Sequence, residues 1–485
     1  MCSSDLLLLA CTGDPKPQRD DTSGPADDTA VNHDSPGDSP GDSTIDSDTT
    51  DTHDTREEPL ATTQVLVVGA GASGLAAAMG AVEAGVEVMV LERATSPGGA
   101  GIYAGSYWAA GSRWQEEGGV KDSAALALSE WPDFSIDGDP TAELVERLVE
   151  DSGDTLEWLE SYGASFELQE RTSVDEGSVP RIHTSTGVAS PMDYLAAPLT
   201  DKIRTSTTVT GLVEEDGRII GVEVGPGEDG TGDTGWIAAD AVIIATGGFA
   251  RNDALVISEL PELKPSGNWV EAHPGMDGNG LEMISAVGGA LQNLDHLALY
   301  SHAVADPNFG SPEVFIVYSL SDGIIVGTDG RRAGDESLFQ SVEWGIEGMT
   351  SGPFVLILDQ PKFEALRMGG RGFNYHDQPE FTSMSGPDYS ALAPIPSGDT
   401  VADLATELGL DPDTLESEVA RYNTMFDAGV DTDFGKGLQD FSRLETGPYY
   451  GVTLLIARAK SFGGAALSPN FEVIDTDGKI GRAHV

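Results

Sequence analysis

The sequence predicts an α/β protein. Its core is a Rossmann-like nucleotide-binding domain with an inserted α+β cap domain, preceded by a disordered acidic tether. Three observations carry that prediction. Gln64–Gly99 reads as strand, glycine turn, helix and strand. The composition shifts near Trp269 and shifts back near Asp433. Residues 14–58 hold fourteen acidic and three basic residues with almost nothing apolar, so they cannot bury enough surface to fold.

Within the first stretch, the apolar run Gln64–Val68 feeds Gly69-Ala70-Gly71-Ala72-Ser73-Gly74, an alanine-rich helix and a second apolar run ending at Glu92. Gly69 permits the tight turn. Gly71 lets the backbone approach a pyrophosphate, and Gly74 lets the helix pack close to the strand. The helix N-terminus then faces the phosphates. Glu92, 18 residues past the third glycine, can accept a ribose hydroxyl. Two more glycine turns follow: Gly98-Gly99, and Thr246-Gly247-Gly248 at the end of the apolar run Ala241–Ala245. A long two-part cofactor needs such a second backbone approach, which favours FAD over NAD.

The 485 residues suggest about three units at ~150 residues per domain. A net charge of −55 makes nucleic acid and anionic membrane surfaces poor partners and reads as a solvated surface. No run approaches the ~18 apolar residues of a membrane span. The expected units are 1–11, a signal remnant; 12–62, the tether; 63–268, the first part of the nucleotide-binding domain; 269–432, the cap; 433–479, the return; and 480–485, a tail. Leu6–Cys11 reads as the end of a lipoprotein signal, without a basic segment before it. Cys11 is then a lipid anchor, and the protein is exported to face the periplasm or the cell exterior. Met1–Asp5 and Ile480–Val485 can be read from opposite strands of one DNA stretch resembling a sequencing-library adapter. Both are therefore expected to be non-native, with the gene truncated at each end. From residue 12 to 479 there is no cysteine, which excludes disulfides, thiol catalysis, cysteine-ligated clusters and a c-type haem. No metal centre is expected, and electrons must pass to or from a separate donor or acceptor.

Along the body, Asp139-Pro140 should start a helix whose Leu144, Leu148, Leu156 and Leu159 face the core. Thr207–Val224 reads as a hairpin around Asp216-Gly217. His273–Gly280 opens a helix at Leu281. Ile324–Arg332 is a strand and turn. Thr400 and Asp411 cap two helices, the first stopped by Gly409.

These motifs resemble the flavoproteins of the fumarate reductase and succinate dehydrogenase family, which includes ketosteroid dehydrogenases and urocanate reductases. The likeness runs from about Gln64 to Lys479. It implies FAD, bound non-covalently because the histidine of covalent members is absent from the loop at Ala104-Gly105. It places Gly69, Ala70, Gly71, Ala72, Ser73, Gly74, Glu92, Arg93, Gly98, Gly99, Ala104 and Gly105 at the cofactor. It adds the backbone of Val209, then Ala245, Thr246, Gly247, Gly248, Asn279 (where an Asp is usual), Glu336, Gly463 and Gly464. Arg181-Ile-His183 resembles a segment near the cofactor, with His183 either structural or catalytic. Relatives continue past Lys479 with a strand, a turn and a helix that meet the flavin.

The implied activity is hydride transfer between flavin and a carbon–carbon bond activated by a carbonyl or carboxylate on a small molecule. Three departures disfavour fumarate itself. Gln340 stands where a proton-donating arginine is usual. Lys460 replaces the histidine before a Gly-Gly pair. Tyr300 falls near another substrate-binding histidine. Tyr300 and Tyr450 can donate hydrogen bonds or protons. Gly447–Val452 resembles the segment whose tyrosine binds the carbonyl in ketosteroid dehydrogenases. Lys460 or Arg458 could hold a carboxylate. Packing alone would explain Tyr449 and Tyr450, and a surface charge would explain Lys460. The alternative function is a flavin-binding homologue with eroded catalysis, serving electron transfer or nothing catalytic.

Overall fold

The computed structural model describes residues 57–131, 142–170, 177–187, 189–261, 263, 269–270, 272–305, 314–316, 323–336, 353–369, 395–437 and 442–484. Cys11, most of the tether, the Asp139-Pro140 helix start and Gln340 lie outside the described residues.

The two apolar runs become β1 (Ala61–Val68) and β2 (Val88–Leu91), paired in parallel, and the alanine-rich segment becomes α1 (Ala72–Glu83). α1 buries Leu75, Ala78 and Met79 in the core cluster that includes Val67 and Val90. Each large side chain there contributes about 1.5–3 kcal/mol by burial. A small antiparallel sheet follows, built from β3 (Ser106–Trp108), β4 (Phe166–Leu168) and β5 (Ile182–Ser185) with β5 central. Around it lie α2 (Arg113–Glu117), α3 (Ala124–Glu130), α4 (Ala142–Ser161) and α5 (Pro191–Ala196). Leu144, Leu148, Leu156 and Leu159 of α4 are all buried, as their spacing predicts.

The large sheet then extends on both sides of β1. On one side, β6 (Ile203–Arg204) joins β2 in parallel. On the other, β9 (Gly235–Ile244) runs parallel to β1. The hairpin β7 (Thr207–Glu215) and β8 (Arg218–Pro226) turns at Asp216 and Gly217 with φ of 46° and 75°, the backbone a two-residue hairpin loop requires. β9 starts six residues before Ala241, because antiparallel pairing with β8 extends it.

The second sheet begins after α6 (Asp253–Glu259) with β10 (Trp269–Val270). α7 (Asn279–Ala286) starts two residues before Leu281, directly after Gly278 turns with φ 77°. β11 (Leu291–Gln292), β12 (Leu297–Ala305), β13 (Val314–Ile316), β14 (Ile324–Val326), β15 (Phe354–Asp359) and β16 (Ser397–Gly398) follow. The helices Val401–Leu408 and Pro412–Ala428 carry the expected caps, Thr400 and Asp411, and bury Leu404, Leu415 and Tyr422 against β14 and β15. β17 (Tyr449–Ser461) is the axis of this sheet. Its first half pairs with β15 and β16, and its last residues pair with β12 and β10. β18 (Gly464–Ala465) then pairs with β11.

The chain returns to the first sheet through β19 (Glu472–Ile474) and β20 (Ile480–His484). Asp475 accepts from the amides of Asp477 and Lys479, both at 2.9 Å, and so forms the reversal. Residues 480–484, set apart in the sequence as a tail, thus pair with β19 and reach β9 at Ile243.

Candidate functional site

Ligands of such sheets bind beyond the carboxyl ends of the strands, and here the glycine turns gather there. Gly69 has φ 101°, and a Cβ on it would lie 2.4 Å from the Ala245 carbonyl oxygen. A Cβ on Gly74 would lie 1.9 Å from the Gly69 oxygen. Both positions exclude any side chain. Gly71 differs: an added Cβ would meet nothing within 4 Å. The space before it is open.

That opening has the chemistry of an anion cradle. Gly71 is the N-cap of α1, offers no side-chain cap, and no acid sits in the first turn. The first amides of the helix, at Ala72, Ser73 and Gly74, therefore have neither an intrahelical acceptor nor a counter-charge. On the far side, Gly99 comes so close that its Cβ would stand 3.3 Å from Gly71 Cα, and Gly98 donates its amide to Ala70 O at 2.7 Å. Glu92 accepts from the Ala70 and Ala94 amides at 2.8 and 2.9 Å. It braces the glycine turn and keeps lone pairs for a hydroxyl. Thr207 donates its amide to Glu92 O at 2.9 Å, which brings the buried Val209 two residues from the end of β2. These residues fit the diphosphate and ribose of a dinucleotide.

A second group of turns meets beyond β9. Gly278 donates to Gly248 O at 3.1 Å, and a Cβ on Gly280 would lie 2.1 Å from Thr246 Oγ1. Asn279 leads α7, its amide bonded to Asp277 Oδ1 at 3.1 Å. The Phe249 amide donates to Ser461 Oγ at 3.0 Å, and a Cβ on Gly248 would clash with that oxygen at 2.2 Å. Gly463 is excluded from carrying a side chain by Asn293 O at 1.8 Å, whereas Gly464 has nothing nearer than 3.9 Å. Gly247 and Gly105 also face open space. Ala104 and Gly105 lead into β3, where Gly105 O accepts from Ser185 at 3.0 Å. Three turns distant in sequence thus form one surface suited to the second half of a two-part cofactor.

β-sheet register decides which polar side chains join them. Lys460 stands opposite Ala298, Arg458 opposite Leu299 and Ala457 opposite Tyr300, with a register shift between Ala298 and Leu299. The bulge breaks the alternation of β17. Lys460 therefore shares the Ala298 and Tyr300 face of β12. Arg458 takes the other face, where it pairs with Asp253 at the start of α6. His302, which the sequence reading passed over, has its ring 5.2 Å from that of Tyr300. Its only signal in sequence is a place two residues beyond Tyr300 in an apolar strand. Burial drives its pKa down to about 3, so the imidazole is neutral. His273 is held down to about 4 by burial and by Arg251 and Arg93, and its Nδ1 accepts the Gly275 amide at 3.0 Å.

Two sequence-predicted residues fall elsewhere. Tyr450 pairs with Leu358, seven residues before Ala457 on β17, or roughly 23 Å along the strand. Its hydroxyl donates to Gln360 at 2.6 Å and its ring stacks on Phe363 at 3.9 Å. Its hydroxyl and ring are thus both engaged, well along the strand from Tyr300. Glu336 has no side-chain exposure: Arg332 holds it at 2.8 Å and Lys436 at 3.1 Å. It belongs to a buried ion network with Arg332, Lys436 and Asp431. The two readings of His183 also separate. It is fully buried, 2.7 Å from Ser112 Oγ and 3.0 Å from Arg181 O, and acts structurally. A cleft of about 480 Å³ between Thr62, Glu215 and Trp236 lies at the opposite, amino end of β1 and contains none of these groups.

The sequence profile described as FAD binding domain matches residues 64–481. A vinyl phenol reductase of Lactiplantibacillus plantarum is 27% identical over 437 residues, covering 86% of this chain and 87% of the relative. A fumarate reductase (cytochrome) of Shewanella frigidimarina is 28% identical over 436 residues, covering 87% and 71%. The open conformation of a flavocytochrome c3 fumarate reductase superposes with a TM-score of 0.68 at 25% identity, covering 88% of this chain and 72% of that one.

Proposed function

Because the chain belongs to the FAD binding domain family, we propose that it is an FAD-dependent oxidoreductase acting on a carbon–carbon bond activated by an adjacent carbonyl or carboxylate. The bound flavin supplies the hydride chemistry. The supporting observation is the register of β17 against β12, which puts Lys460 and Tyr300 on one face, one residue along the strand from the Ser461 contact with the Phe249 amide. On that face Lys460 supplies a cation that binds a carboxylate or polarises a carbonyl. Tyr300 shares its face and can donate a hydrogen bond or a proton. Neutral His302 supports the Tyr300 ring. Of the two relatives, one is named for fumarate, whose double bond is flanked by carboxylates, and the other for a vinyl phenol, whose double bond is conjugated with a phenol ring instead.

The test is anaerobic. The FAD-loaded protein is reduced chemically and mixed with a panel of enoates, enones, vinyl phenols and unsaturated steroids. Reoxidation of the flavin absorbance by one class supports the reading. A fully loaded protein that no member reoxidises, and whose oxidised form no saturated counterpart bleaches, favours the eroded homologue. For location, the proposal keeps Cys11 as a lipid anchor, checked by loss of fatty-acid labelling in Cys11→Ser.

A further inference from the structure

Arg93 takes no part in the chemistry above, yet it joins three separate elements. It follows Glu92 at the carboxyl end of β2. Its guanidinium pairs with Asp277, in the loop before α7, and with Glu228, in the turn between β8 and β9. The Glu228 amide also donates to Arg93 O at 3.0 Å, which pins that turn to the end of β2. Asp277 is fixed in turn: its carbonyl accepts from Asn252 at 3.0 Å, and the next amide, Gly278, is bonded to Gly248 beyond β9.

The strand order gives this arrangement its meaning. β1 lies between β9 and β2, so the ends of β2 and β9 stand about 10 Å apart across it. The glycine turn follows β1. A side chain from the end of β2 that reaches a loop packed on the end of β9 spans the carboxyl end of β1, from which the glycine turn leads to the open space before Gly71.

We propose that Arg93, held by Asp277 and Glu228, is an ionic clasp over the adenosine diphosphate half of the bound cofactor, which must open for FAD to leave. The inference rests on FAD being the ligand, and it concerns retention rather than turnover. The three side chains are 25%, 40% and 56% exposed. Each pair is thus a partly solvated one that salt weakens.

The experiment follows FAD release from the loaded protein after dilution into excess apo-glucose oxidase, which takes up FAD, by the oxidase activity recovered, at 0.1 and 1 M NaCl. Wild type, Arg93→Gln and Asp277→Asn are compared. Two such pairs correspond to about a fivefold to tenfold faster release for Arg93→Gln and a smaller increase for Asp277→Asn. Salt should accelerate the wild type toward the Arg93→Gln rate and leave Arg93→Gln nearly unchanged. Circular dichroism melts of the apo proteins separate lost retention from lost folding, and Asp277→Asn keeps the arginine in place. Equal release rates in all three proteins, or equal salt dependence, overturn the clasp. A wild type that takes up no FAD overturns the cofactor reading instead.

Discussion

Gly71→Ala separates cofactor binding from folding more cleanly than any other substitution in the glycine turn. The backbone at Gly71 has φ −80° and ψ −171°, which an L-residue adopts without strain. The new methyl meets no protein atom within 4 Å. Alanine is a poorer N-cap than glycine by several tenths of a kcal/mol. The loss of chain entropy in the unfolded state returns about 0.4–1 kcal/mol. Net stability should change by no more than about 0.5 kcal/mol. Binding is another matter. The methyl occupies the place where a phosphate oxygen must come within hydrogen-bond reach of the first amides of α1. Losing one or two such charge-assisted bonds, at about 1.5–3 kcal/mol each, weakens FAD by at least tenfold and up to about a thousandfold. Titration of the apoprotein with FAD by fluorescence quenching, beside a thermal melt, reads both quantities. Gly74→Ala is the control: its methyl would sit 1.9 Å from Gly69 O, so it should lower the melt as well. If Gly71→Ala binds FAD as tightly as wild type, the pyrophosphate does not lie on this turn, and the cofactor site is misplaced.

Three further outcomes follow from the side chains. Lys460→Met should leave FAD stoichiometry and the melt unchanged while lowering kcat/KM by about a hundredfold; unchanged kinetics would return Lys460 to the role of a surface charge. Arg181 is fully buried between Asp122 and Glu130 at 2.8 and 2.7 Å, so Arg181→Met strands a buried carboxylate and should cost about 3–5 kcal/mol in urea unfolding; a loss below about 1 kcal/mol would mean that Asp122 finds another partner or takes up a proton. His302 gives a pH signature. Its folded pKa of about 3 lies below the ordinary 6.5, so below pH 6.5 the unfolded chain takes a proton that the folded one refuses, and stability falls by about 1.4 kcal/mol per pH unit. Above pH 6.5 the term vanishes. Acid also relieves the repulsion of the excess carboxylates, in wild type and His302→Gln alike, so the difference between the two proteins is the readout. Wild type should lose about 2–3 kcal/mol relative to the variant between pH 6.5 and 4.5, and parallel profiles would refute the burial argument.

What was legible in the sequence was local. Gly69, Gly71, Gly74 and Glu92 lie within one thirty-residue unit, and each role follows from the strand–turn–helix geometry around it. The Asp216-Gly217 hairpin and the Thr400 and Asp411 caps are of the same kind, because a few adjacent residues specify each one. What was not legible is long-range. Alternation along β17 puts Arg458 and Lys460 on one face; the register shift against β12, a strand some 160 residues earlier, puts them on two. Tyr450 sits in a recognisable segment, but its distance from Tyr300 depends on how far β17 runs past β15 before meeting β12. Glu336 was assigned by motif, and only the packing of the helix Pro412–Ala428 shows that Arg332 and Lys436 enclose it. The early start of β9 was hidden because Gly235–Asp240 carries no clear apolar alternation and gains its strand character from β8.

β17 also links the strand segment around Lys460, the cation proposed above to meet the substrate, to the turn at Gly248. The strand is thirteen residues long, and its partners change along it. Tyr449–Leu454 pairs with β15, while Ala457–Ser461 pairs with β12 and β10. The β14 and β15 side, with its two capped helices, is thus attached to the first half only. The partners of β17 change near Leu455. At its far end Ser461 accepts from the Phe249 amide and fills the space that glycine leaves at Gly248. Any side chain at 248 would push Ser461 away, and with it the strand end that carries Lys460. If Lys460 meets the substrate as proposed, the link between that cation and the Gly248 turn is one residue along a strand, so Gly248 bears on both.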